Sequence, residues 1–117
     1  MAIQQASQSY PINGNNNFLL VSWLPLANGD SGDPFILSQY SDRSVQINGT
    51  FGAGGTVVLQ GTNDGVNYTT LTDNQGNALS FTSTKLVQVM EICVAIRPLV
   101  TAGDGTTAIN VNMLVRK

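Results

Sequence analysis

The stretch from Ser44 to Thr72 constrains this chain more than any other. Val45 and Ile47 alternate with polar residues, and Val57 and Leu59 do so again after the run Phe51-Gly52-Ala53-Gly54-Gly55. A spacing of two is what a half-buried strand needs. Phe51 joins the face of Val45 and Ile47 if the pleat continues through Gly49. Asn63-Asp64-Gly65 supplies a turn, because Gly, and less readily Asn or Asp, takes positive φ. The stretch predicts three strands joined by two tight turns, and it contains no catalytic constellation.

The remaining chain reads the same way. Phe18 to Leu24 is a strong strand carrying the only tryptophan, Trp23, with Pro25 limiting its continuation in a ladder. Phe35 to Gln39, Ser44 to Thr50, Thr56 to Gly61, Val66 to Leu71 and Leu79 to Thr82 follow as strands between Asn-, Asp- and Gly-rich loops. Val87 to Leu99 is apolar on both faces, the pattern of a strand covered on both sides or lying at an oligomer contact. Its β-branched residues and Pro98 favour a strand over a helix. Ile109, Val111, Met113 and Val115 then alternate with Asn110, Asn112, Leu114 and Arg116. About eight strands, frequent turn signals and no convincing helix predict an all-β, single-domain antiparallel sandwich, jelly-roll or immunoglobulin-like. A polar arm, residues 1–17, rich in Gln, Asn and Ser, precedes the sandwich domain of residues 18–117. It reads as a frayed terminus or as an arm that orders on a neighbour.

Charge narrows the function. Only 10% of the 117 residues are charged, against about 25% in ordinary domains. The surface is therefore one of amides and hydroxyls, which repel one another weakly and suit a subunit packed against neighbours. A net charge of -2 gives no basic footprint, so nucleic acid is disfavoured as a partner. No apolar run is long enough to span a membrane, and the N-terminus lacks the pattern of a signal peptide. The expectation is synthesis and folding in a cytoplasm, with no membrane partner. The single cysteine, Cys93, lies in an apolar run and reads as a buried structural thiol.

The chain has no histidine, which removes the commonest general base and metal ligand. Nucleophile–histidine pairs and zinc sites of the His/Cys kind are impossible in one chain. Of the acids, Asp30, Asp33, Asp42, Asp64, Asp73 and Asp104 lie in or beside turns, where a carboxylate caps the backbone. Glu91 stands apart in the apolar run, with Lys85, Arg97 or Arg43 as its possible pair, or an interface as its surroundings. A strand-borne acid near a lysine is also the arrangement of isopeptide cross-links, which further need an Asn or Asp acceptor packed beside it. Asp30, Asp33 and Asp104 offer oxygen to calcium, but not at the helix–loop–helix spacing. Gly52-Ala53-Gly54-Gly55 lacks the Lys and helix of a phosphate loop. No catalytic, cofactor-binding or metal residue is assigned, and the expectation is a protein that is not an enzyme. Trp23, Tyr10, Tyr40 and Tyr68 are the candidate platforms for stacking a sugar, with Trp23 better suited to the core.

Gly55-Thr56-Val57-Val58-Leu59-Gln60-Gly61-Thr62-Asn63-Asp64-Gly65-Val66-Asn67-Tyr68, followed by Leu71-Thr72-Asp73-Asn74-Gln75-Gly76-Asn77-Ala78-Leu79, resembles a pattern of small head proteins of tailed bacteriophages. There a T-x-x-L-Q-G-S/T-N-D-G-x-N-W/Y hairpin precedes an L-x-D-x-x-G-x-x-L segment. Ile96-Arg97-Pro98 and Gly103-Asp104-Gly105 also fit, so the resemblance spans roughly the C-terminal two-thirds. It implies a capsid cement, or decoration, protein: a β-sandwich on the outer face of the icosahedral shell, bracing capsomers against packaged DNA. The implied partners are the major capsid protein and a second copy, as a homodimer or a trimer. The implied location is the virion, after assembly in the host cytoplasm. Similar sequences in phage tails and fibres keep open a carbohydrate-binding or adhesive module. No catalytic residue comes with the resemblance.

Overall fold

A computed structural model describes residues 3–11, 17–36, 40–91 and 93–117. Among them run twelve strands and no helix: β1 Ile3–Gln4, β2 Ser7–Ser9, β3 Phe18–Leu26, β4 Ser31–Gly32, β5 Phe35–Ile36, β6 Asp42–Thr50, β7 Thr56–Thr62, β8 Thr69–Thr70, β9 Ser80–Phe81, β10 Lys85–Gln88, β11 Ala95–Ala102 and β12 Ala108–Arg116. One sheet has the order β10-β6-β12-β3-β2. In the other, β11 and β7 form the centre, β4 and β5 flank β11, and β8 and β9 flank β7.

The path between the sheets separates the two predicted sandwiches. The chain changes sheet from β3 to β4, from β5 to β6 and from β6 to β7, stays with β8 and β9, then changes again into β10, β11 and β12. Leaving aside β1 and β2 of the arm, and counting β4/β5 and β8/β9 as one strand each, gives eight strands in two four-stranded layers of crossing connections. That is a jelly roll, the double Greek key, and not an immunoglobulin order.

The core fills the space between the layers. Leu19, Val21 and Trp23 of β3, Val45 and Ile47 of β6, and Ile109, Val111, Met113 and Val115 of β12 enter from one side. Val57 and Leu59 of β7 and Ile96 and Val100 of β11 enter from the other, with Phe35, Leu71, Leu79 and Phe81. Each fully buried Ile, Leu or Met here contributes roughly 1.5–3 kcal/mol by leaving water. The Val45–Ile47 and Val57–Leu59 faces are as the period-two spacing predicts, and Phe51 is half-buried against the core. Gly49, at φ 107°, is opposite Ile109 in the ladder.

Several elements differ from their sequence reading. β3 runs two residues past Leu24, because Leu26 pairs with Ile109 and Trp23 with Val111. The register leaves one extra residue on β3, a bulge that holds Leu24 and Pro25 exposed, where proline's missing N–H costs no ladder bond. Val66 to Leu71 shortens to Thr69–Thr70, since the N–H groups of Val66 and Asn67 donate to the Asp64 carboxylate instead of a strand. Of Phe35 to Gln39, Phe35–Ile36 form β5 and residues 37–39 lie outside the described residues.

Val87 to Leu99 is not one strand. Its start belongs to β10 on β6 and its end to β11 on β7, in opposite sheets. Its two apolar faces have a simple cause. Val87 and Val89 point inward from one sheet at odd positions, and Ile96 and Val100 point inward from the other at even ones. Met90 and Val94, in the crossing, are exposed, and Ile92 lies outside the described residues. In the polar arm, Ile3–Gln4 pairs parallel with β4 and Ser7–Ser9 antiparallel with β3, so the arm joins both sheets. Residues 12–16 lie outside the described residues.

Candidate functional site

Most of the acids singled out in the sequence close turns. Asp64 accepts from the backbone N–H of Val66 and of Asn67, each at 2.8 Å, and from Thr62 Oγ1 and Asn67 Nδ2. These donors hold its carboxyl far below the usual carboxylate range, the Asn67 N–H contributing most. Asp73 accepts from the N–H of Gln75 and of Asn77 at 2.9 Å, and Asn77, then Gln75, lowers its pKa. Asp104 accepts from Ala53 N and from Thr106 N and Oγ1, which bring it to about 2. Asp104 thereby ties the glycine-rich β6–β7 loop to the β11–β12 turn. Buried Asp30 accepts from Ala27 N and Gln4 Nε2. Asp42 pairs with Arg116 on the surface. Among the described residues, no three His, Cys, Asp or Glu gather as a metal site would require.

Glu91 accepts from the Thr72 N–H, and from Thr72 Oγ1 at 3.2 Å, bridging the β10–β11 crossing to the opposite layer. Its carbonyl, not its carboxylate, takes the Arg43 guanidinium. Among the described residues its carboxylate forms no ion pair with Lys85, Arg97 or Arg43. Arg43 itself, 5% exposed, faces the core beside Val45, and its Nε has no hydrogen-bond partner. The sequence reading missed that burial; the signal was its odd-numbered place in the Val45–Ile47 alternation. Glu91, Cys93, Thr62, Asn63, Asn67 and Thr69 line a cleft of about 210 Å³ beside these groups. Cys93 is half-buried there, and burial pushes its thiol up.

The aromatic platforms are not brought together. Trp23 is fully buried and its Nε1–H donates to the Asp33 carbonyl at 2.9 Å, so it stacks on no ligand. Tyr40 packs against Phe35. Tyr68 carries the Arg97 guanidinium 3.8 Å above its ring centre. Tyr10 is exposed.

A broad, nearly uncharged face remains, the outside of the five-stranded sheet. Ladder register sets its rows. Asn48 lies opposite Asn110; Leu86, Gln46, Asn112, Ser22 and Ser7 form a second row; Gln88, Ser44, Leu114, Leu20 and Ser9 form a third. Ser22 Oγ donates to Asn112 Oδ1 at 2.7 Å. The charges on these rows are confined to the end, where Asp42 and Arg116 neutralise each other beside a 390 Å³ depression lined also by Phe18, Gln88 and Leu114. This face can offer amide and hydroxyl hydrogen bonds around a half-buried Leu20–Leu114 stripe, without electrostatic steering. The alternation of Asn110 and Asn112 with core residues in β12 was its trace in the sequence.

No family model matches the sequence, and no curated protein matches it. Among solved structures, the chain is similar to the SPBc2 prophage-derived protein YomS, at 15% identity and a TM-score of 0.65 over 86% of this chain and 95% of that one. At that identity the similarity establishes a common fold.

Proposed function

We propose that this chain is a structural virion protein that binds the outer surface of a bacteriophage icosahedral capsid and stabilises contacts between capsomers. The observation that carries the reading is the amide and hydroxyl face over Gln46, Asn48, Asn110 and Asn112, on a jelly roll most of whose acids are spent on turns. A cement protein needs broad, shape-matched area and many modest contacts, since copies on one shell act together. The sequence resemblance to phage head proteins supports the reading, as does a fold shared with a prophage-derived protein. Its partner on this reading is the major capsid protein.

The second reading is an adhesive, carbohydrate-binding module of a phage tail or fibre. The cleft lined by Thr62, Asn63, Asn67, Thr69 and Glu91 favours it, because amides, hydroxyls and one acid suit sugar hydroxyls. Buried Trp23 does not support it.

Co-sedimentation with intact and with protein-stripped virions tests both. Saturable rebinding to stripped shells, in fixed ratio to capsid subunits and weakened by Asn110→Arg, is the expected result. Binding to tails or host glycans, weakened by substitution of Asn67, would replace the cement reading with the adhesive one.

A further inference from the structure

We infer that two copies of this chain pair antiparallel through the free edge of β10, about a two-fold axis at Gln88. A second copy is among the partners the sequence resemblance implies; the edge, the axis and the register go beyond it and do not rest on the capsid reading, because the pairing needs no shell.

Among the described residues β10 has one neighbour, β6, and so ends its sheet. Lys85 to Gln88 pair with Ile47 to Ser44, and the Val89 N–H continues the ladder to the Arg43 carbonyl at 3.0 Å. Backbone groups in an antiparallel ladder alternate between the two sides of a strand. Val89, Val87 and Lys85 therefore turn theirs toward β6, and Leu86 and Gln88 turn theirs outward, unpaired. Edge strands in this state are templates for another strand. The other edges are poorer templates. β2 is Ser-Gln-Ser, and β1, β5, β8 and β9 have two residues each.

In one register the side chains of β10 and of the three residues after it, Val89 to Glu91, complement themselves, with those three extending the line of the strand that the Val89 ladder bond begins. An axis at Gln88 sets Gln88 against the second copy's Gln88, so the outward groups of both strands meet as a hydrogen-bonded pair. Leu86 then opposes the second copy's Met90. These two are 68% and 52% exposed in the single chain, two of the large apolar side chains that its surface leaves in water. Val87 opposes Val89 on the inner side. Lys85 opposes the second copy's Glu91, also on the inner side, so each copy contributes one opposite-charge pair. The Glu91 carboxylate already accepts from Thr72, and its remaining lone pairs are sufficient for an ammonium. An isologous contact is satisfied by one patch meeting itself, which this register achieves. The two five-stranded sheets become one continuous sheet, and their amide faces one platform.

Light scattering on the full chain, at about 100 μM, where a dimer of about micromolar affinity is populated, provides the test. The expected species has twice the 12.4 kDa chain mass. Leu86→Lys alters a solvent-exposed side chain and should weaken the dimer about tenfold or more, with an unchanged circular dichroism spectrum. Lys85→Glu and Glu91→Lys should each weaken it as well, by setting like charges opposite. An equimolar mixture of the two variants should restore the two-chain species, since the mixed pair regains both attractions. If Glu91→Lys does not fold, Leu86→Lys and Lys85→Glu decide alone. A single-chain or three-chain wild type overturns the inference. So does a wild-type dimer that Leu86→Lys and Lys85→Glu leave unchanged, or two folded variants whose mixture stays monomeric.

Discussion

Trp23 Nε1 donates to the carbonyl oxygen of Asp33 at 2.9 Å, so a fully buried indole from one layer holds the loop that follows β4 in the other. The same ring limits Gly32. A Cβ added there would lie 2.6 Å from Trp23 Cδ1 and 2.5 Å from Pro98 Cδ. The layers meet at this point through an indole, a proline ring and a residue without a side chain.

Trp23→Phe is therefore expected to cost about 2–4 kcal/mol, from a cavity and an orphaned carbonyl. Gly32→Ala is expected to cost about 1–3 kcal/mol by overpacking, with no chemical group lost. Urea unfolding followed by circular dichroism measures both. Wild-type emission should be blue-shifted and insensitive to acrylamide. A stable Gly32→Ala variant would mean the layers separate more easily than this packing implies.

Acid should weaken the fold through its turns. Asp64, Asp73 and Asp104 all lie below their ordinary value of 3.8 in the folded chain, with backbone and side-chain donors as the cause. The unfolded chain then binds protons first as pH falls. The contribution of these groups is complete above about pH 5 and is lost on acidification toward the folded values, about 2 for Asp104. With no histidine in the chain, stability should be nearly flat from about pH 6 to 8. Thermal melts across pH 2–8, as order-of-magnitude bounds on the window, should show this shape. Asp64→Asn should flatten part of the acid limb. An unchanged limb in that variant would transfer the effect to other groups.

How much of this was legible depends on what each residue answers to. Val45, Ile47, Val57, Leu59, Ile109 and Val111 answer to the pleat, and period two placed them in the core. Asp64 and Asp73 answer to their own turns, within four residues, and their role was readable for the same reason, whereas the bond from Ala53 to Asp104 joins two distant loops and was not. Val87 to Leu99 answers to two different layers, so its apolar residues on both faces looked like one doubly covered strand. Local pattern carries no sign of where the chain leaves a sheet. Arg43 stood as a possible pair for the Glu91 carboxylate; its place in the Val45–Ile47 alternation signals burial, and the assembled layers show that it meets the Glu91 carbonyl instead, under the crossing. The amide face is a product of register among β6, β12 and β3, residues far apart in the chain.

Cys93 gives a kinetic test of the crossing. Burial raises its thiol pKa, with the Glu91 charge adding to the rise, while Arg43 and the Thr62 backbone oppose it. Thiolate is the reactive form, so the folded chain should react with a disulfide reagent at pH 8 about tenfold or more slowly than the urea-unfolded chain. Rapid reaction in native buffer would place the thiol in solvent and loosen the β10–β11 crossing.

Arg43 makes the sharpest energetic claim. Its guanidinium is buried, its Nε is unpartnered, and its Nη2 reaches the backbone carbonyl of Glu91 rather than a carboxylate. A buried charge without an acid costs desolvation that one carbonyl repays only in part. Arg43→Met keeps the length and apolar stem of the side chain and removes the charge. The Glu91 carbonyl, on an exposed residue, can turn to water. We expect Arg43→Met to raise stability by about 1 kcal/mol, whereas Arg43→Ala, which leaves a cavity under the crossing, should lower it by about 2 kcal/mol. Paired urea titrations measure both. If methionine costs as much as alanine, the guanidinium is compensated in the fold, and the Glu91 carboxylate beyond ion-pair distance would be the charge to examine next.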